Sequence, residues 1–157
     1  MKHAHNLGST LKLLASIGFV ATVCAFASWL MMWLLVTQAR AADWSQRGFG
    51  ESQLDFLIRS QGSYSSQIGF ILGAVAAVLF AVLLRFLHVG SRFRRLVLAV
   101  GTAAPFAYII NVLCAGLSNV GIQVAFVVGV LAPLALSLYL VSIFFGARNR
   151  PKASTAP

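Results

Sequence analysis

"GFILGAVAAVLFAVLLRF", residues 69–86, carries a single charge, Arg85, and sets Gly69, Gly73, Ala77 and Ala81 at every fourth position before reaching it. A stretch this long and apolar matches the ~20 residues that cross a hydrocarbon layer of about 30 Å as an α-helix. In lipid no hydrophobic effect drives one helix against another, so association depends on close backbone approach, which small residues permit. Residues 69–86 therefore read as a membrane-spanning helix with a contact seam along one side.

The rest of the chain agrees. Of 157 residues, 59% are hydrophobic and 10% charged, against about 45–50% and 25% in soluble domains. A water-soluble globule of this size could not hide that much apolar surface. Lipid tolerates it but penalises unpaired backbone groups, which restricts the spans to helices or a closed barrel. The apolar runs are continuous, without the alternation of barrel strands, so helices are expected. Four windows qualify, at about residues 13–36, 68–87, 96–117 and 120–145. Residues 96–145 hold no charge, yet as one helix they would extend about 75 Å, so the chain must turn back within them. "GLSNVG", residues 116–121, supplies the turn residues. The expected fold is an all-α integral membrane protein, one domain over 1–157, with four transmembrane helices in an up-down bundle.

Charge placement predicts the orientation. Lys2, Lys12, Arg85, Arg92, Arg94, Arg95, Arg148, Arg150 and Lys152 fall on the side of the two termini and the 88–95 loop, with no acid among them. The 37–67 loop balances Arg40, Arg47 and Arg59 against Asp43, Glu51 and Asp55. By the positive-inside rule both termini and the 146–157 tail are cytoplasmic, and 37–67 is exterior. The net charge of +9 thus belongs to one membrane face, thinly spread at span ends, which does not suit nucleic acid. Arg85, Arg92, Arg94 and Arg95 read as topology anchors that also attract anionic lipid headgroups, about 1 kcal/mol each.

"TQARAADW", residues 37–44, resembles a signal-peptidase site, which would make Ala42 the new amino terminus. The apolar run before it is longer than the 7–15 residues typical of a signal-peptide core, and Trp29 and Trp33 suit the outer interface of a permanent helix. Retention of the first span is expected. Within 37–67, "ESQLDFLIRSQG", residues 51–62, spaces Leu54, Leu57 and Ile58 on one face, pairs Asp55 with Arg59, and ends in Gly62 as a helix stop. A short amphipathic helix lying on the outer surface follows, with Trp44 and Phe49 as further anchors.

Small residues also recur in the last span at Gly121, Ala125, Gly129, Pro133 and Ser137, and in the third at Ala99, Ala103 and Ala107. Two readings stay open: the seams pack the four helices together, or one of them, foremost that of the second span, faces another chain. Pro105 and Pro133 lie inside spans, where each tends to kink its helix. Asn111, the most polar side chain deep in a span, needs a hydrogen-bond partner. It is either an interhelical bond or part of a polar pocket with Tyr108 and Pro133 between the last two spans.

Chemistry is sparse. No acid, His or Lys lies within a span, Cys24 and Cys114 sit in different spans without metal or redox spacing, and "HAH" at residues 3–5 is a weak metal motif. No catalytic residue, cofactor or metal is expected. The leading expectation is a non-catalytic accessory, assembly or structural subunit of a bacterial inner membrane, binding other membrane subunits or itself. A small oligomeric channel, holin-like pore or carrier is the alternative, and a lipid-modifying enzyme with its site on the exterior loop the third.

Overall fold

The computed structural model describes residues 2–87, 89, 91–115 and 120–146. Within the bilayer the uncharged first run has no water for its amides, so they pair along the chain. Helix α1, Lys2–Met31, is the result. It continues unbroken through a π-helical segment, Met32–Thr37, into α2, Gln38–Gln46. The Thr37 hydroxyl donates to the carbonyls of Met32, at 3.2 Å, and Trp33, which satisfies acceptors on the widened turn.

The rod ends at Gly48, whose φ of +84° lies in the left-handed region open to glycine. The Phe49 amide reaches back to the Trp44 carbonyl at 3.2 Å, the six-to-one bond of a Schellman C-terminus. Gly50 then starts α3, Glu51–Phe86. The amides of Gln53 and Leu54 donate to the Gly50 carbonyl at 3.0 Å, and the Gly50 amide donates to Gln53 Oε1 at 3.3 Å. Glu51 occupies the first turn, where the helix dipole favours an acid.

Helix α3 runs for 36 residues, about 54 Å. The separate surface helix expected over 51–62 is instead the beginning of this span helix, and the expected 37–67 loop shrinks to the turn at 47–50. Gly62 does not stop the helix. It is buried against α1, where a Cβ would lie 3.0 Å from the Trp29 indole Nε1, so glycine here admits a neighbour. The Asp55–Arg59 pair forms at 2.8 Å, and Leu54, Leu57 and Ile58 are half-buried.

Helix α4, Arg92–Cys114, is capped by Ser91, whose hydroxyl accepts from the Arg94 amide at 3.2 Å. Helix α5, Val120–Gly146, completes the bundle. Both continue through Pro105 and Pro133, since neighbouring helices in a bundle can re-satisfy the freed backbone. The turn at 116–119, together with His88, Gly90 and residues 147–157, lies outside the described residues.

Four helices are long and apolar enough to cross a membrane. α1 and α4 each pack chiefly on α3 and α5, which closes an antiparallel ring. The α1–α3 direction follows from its contacts: Gly62 meets Trp29, whereas Gly73 meets Val20, Ala21 and Cys24. The core joins the buried alanines of α4, Ala99, Ala103 and Ala107, to the larger Phe80, Ile110, Phe126, Leu134 and Leu138. Hydroxyls inside the spans bond back to their own helices, as Ser28 does to Cys24, Thr102 to Leu98 and Ser137 to Leu134, each at 2.8 Å. So satisfied, they pack as small neutral residues.

Candidate functional site

The seam on α3 is taken up within the chain. A Cβ on Gly69 would sit 2.9 Å from the Cys24 carbonyl oxygen, and one on Gly73 2.6 Å from the Cys24 Cβ. Ala77 is buried and Ala81 half-buried. At Gly69 and Gly73 the face that the sequence offered to another chain meets α1. On α5 the stripe turns: Gly121 and Ala125 are exposed, Gly129 is half-buried beneath the Met31 side chain, and Ser137 is buried. Four residues rotate a helix by about 40° beyond a full turn, so a four-residue stripe that begins outside winds into the core.

The polar pocket expected between the last two spans is not assembled. Tyr108 is 61% exposed, on the outward side of α4, while Asn111 is 2% exposed and faces inward. Three positions apart, the two side chains diverge by about 60° around the helix, and the limit of the buried face falls between them. Asn111 Oδ1 has no hydrogen-bond partner among the described residues. Shallow depressions lie elsewhere, one lined by Ala25, Ser66, Gln67, Phe70 and Ile71, another by Phe49, Ser52, Gln53, Phe56 and Leu57.

No protein family matches this chain. No curated protein and no solved structure is detectably similar to it either. Its function must be read from its own surfaces.

Two arginines tie the bundle. Arg40 of α2 donates from Nη2 to the Ala115 carbonyl at 3.0 Å, joining the first helical rod to the end of α4. Arg95 of α4 donates from Nη1 to the Ser142 carbonyl at 3.0 Å and from Nε to the Val89 carbonyl at 3.2 Å. Both guanidinium groups sit where helices end, beside unpaired carbonyls and the negative end of the dipole. Arg95, expected with the headgroup anchors, is thus engaged in the α4–α5 pair, whereas Arg85, Arg92 and Arg94 are exposed. Arg40 was missed as a tertiary contact, though a signal existed. Pairing acids and bases four apart in 37–67 uses Asp43 with Arg47 and Asp55 with Arg59 and leaves Arg40 over.

The end of the first hairpin carries two exposed aromatic side chains. Phe56 is 71% exposed and Phe49 41%, both around the second depression and within the polar sequence that precedes the apolar part of α3. Among the described residues no three His, Cys, Asp or Glu side chains gather, and Cys24 and Cys114 are buried and unbridged.

Proposed function

We propose that this chain is a non-catalytic multi-pass membrane subunit, with an accessory, assembly or structural role, that docks another membrane protein at the exterior end of its first hairpin. The observation that carries the reading is the pair Phe49 and Phe56, large aromatic side chains held out beyond the apolar part of α3. Burying one such side chain against a partner is worth about 1.5–3 kcal/mol. Phe49 stands at the hydrogen-bonded turn and Phe56 on the second turn of α3.

The use of the acids supports a non-catalytic role. Asp43 pairs with Arg47 at 3.0 Å, Asp55 with Arg59 at 2.8 Å, and Glu51 sits on the first turn of α3. In this reading the membrane is a bacterial inner membrane, both termini are cytoplasmic, and Arg85, Arg92 and Arg94 meet anionic headgroups there.

A second reading, a small oligomeric channel, holin-like pore or carrier, is favoured by Ala125, a small residue exposed on α5 where a second copy could approach closely. Purification in mild detergent separates the two. The subunit reading expects a stoichiometric membrane partner that is lost in Phe56→Ser while the thermal unfolding of the chain is unchanged. A homo-oligomer that conducts in liposomes supports the second reading. Recovery of the wild-type chain alone refutes both.

A further inference from the structure

Asn111 differs from the buried hydroxyls of the spans, and shares only with the half-buried Gln61 of α3 a buried amide oxygen that has no partner among the described residues. Ser28, Thr37, Ser65, Thr102, Ser137 and Ser142 each donate to a carbonyl of their own helix. Asn111 Oδ1 is buried with no donor among the described residues, a state that folding strongly disfavours unless a donor is supplied. Four residues on, one helical turn further and just past the end of α4, lies Ala115, fully buried, whose carbonyl accepts from Arg40. A guanidinium has five N–H donors, that bond uses one, and no carboxylate of the described residues pairs with Arg40. Arg40 is half-buried, at the boundary between the bundle interior and its outer end. A buried acceptor with no donor among the described residues thus lies one helical turn from the residue whose carbonyl holds a cation, and the described residues take up one of that cation's five donors.

We infer that a narrow water-accessible crevice runs inward from Arg40 to Asn111, where water donates to Asn111 Oδ1 and accepts from Arg40, and that the Arg40–Ala115 bond is the latch that closes it. Internal waters occur where buried polar groups otherwise lack partners. The site suits a small uncharged hydrogen-bond donor, with water as its resident. This inference stands apart from the docking reading, which concerns the tip of the hairpin.

The test is thiol accessibility in lipid vesicles, with Cys24 and Cys114 replaced by Ala and Asn111→Cys as the reporter. The probe is 2-hydroxyethyl methanethiosulfonate, small, hydrophilic and neutral, so that charge at residue 40 does not alter its approach. Asn111→Cys is expected to react slowly with Arg40 present and at least tenfold faster with Arg40→Gln. Arg40→Lys keeps the charge but not the fork, and is expected to accelerate the reaction too; it carries the comparison if Arg40→Gln is not recovered folded. Ala107→Cys, one turn deeper on the same face and fully buried, should stay unreactive in every background. Absence of reaction at residue 111 in all backgrounds, or one rate regardless of residue 40, overturns the inference. Equal acceleration at residue 107 also overturns it, because the bundle would then be loosening as a whole.

Discussion

Adding one methyl group at Gly73 tests the α1–α3 seam most directly. The new Cβ of Gly73→Ala would lie 2.6 Å from the Cys24 Cβ, 3.1 Å from the Ala21 Cα and 3.3 Å from the Val20 carbonyl oxygen. Carbon atoms rest favourably at about 3.5–4.0 Å, so the helices must part by about 1 Å at this point. None of the three obstructing atoms is the far end of a flexible side chain. Forced expansion of a packed contact costs about 1–3 kcal/mol, and the better helix propensity of alanine returns at most about 1 kcal/mol. From the middle of that cost, about 2 kcal/mol, the net loss is about 1–2 kcal/mol, and at about 2–4 °C per kcal/mol for a chain of this size the unfolding temperature should fall by roughly 2–8 °C. The assay is a thermal ramp in detergent, following the reaction of the buried cysteines with a thiol-reactive fluorophore. Cys24→Gly placed in the Gly73→Ala background removes the nearest obstructing carbon and should recover most of the loss. Gly18→Ala, which has nothing within 4 Å of its added methyl, should not lower stability. Unfolding of Gly73→Ala at or above the wild-type temperature, or failure of Cys24→Gly to relieve it, refutes the close-approach argument.

Other consequences are checked in the same way. Arg95→Ala loses charged hydrogen bonds to the Ser142 and Val89 carbonyls, worth about 1.5–3 kcal/mol for a bond to a charged group, and should lower the unfolding temperature by roughly 3–12 °C. Asp55→Asn breaks an ion pair whose side chains are 62% and 80% exposed, so stability should change by less than about 0.5 kcal/mol in urea titration. Labelling of intact cells should reach a cysteine introduced at Ser52 and not one at Ser91; the reverse pattern overturns the proposed orientation.

The four spans were legible because uninterrupted apolar runs of this length have few other uses. The connection between the first two was misread for a specific reason. Leu54, Leu57, Ile58 and the Asp55–Arg59 pair have the same spacing whether their helix lies on a membrane surface or stands on top of a span. The small-residue beat, followed upstream from Gly69, held the missing information: Gly62, Ser65, Gly69, Gly73, Ala76 and Ala77 are all buried on α3, one rhythm through the place where a stop was expected. Glycine signals a stop in water and a close neighbour in a bundle. The Asn111 pocket was misplaced because a divergence of about 60° around the helix is enough to put Tyr108 outside and Asn111 in the core, and the arginine that meets the end of this helix, Arg40, lies 75 positions away from Ala115 in the chain.

The π-helical segment gives the first rod a counted length. On α1 and its continuation Val20, Cys24, Ser28, Met32 and Val36 are buried at intervals of four, and Arg40 is next on that line. In a uniform α-helix such a line would veer steadily around the cylinder; the wider turn over 32–37 swings it back, so that Arg40 still points at α4. A wide turn takes up about one residue more than an ordinary turn, so loss of a single residue from that segment in favour of plain α-helix would leave Arg40 facing α4, whereas gain of one would rotate everything beyond it by about 100°, carrying the guanidinium off the bundle and Trp44 and the tip with it. This part of the protein should therefore absorb the loss of one residue far more readily than the gain of one.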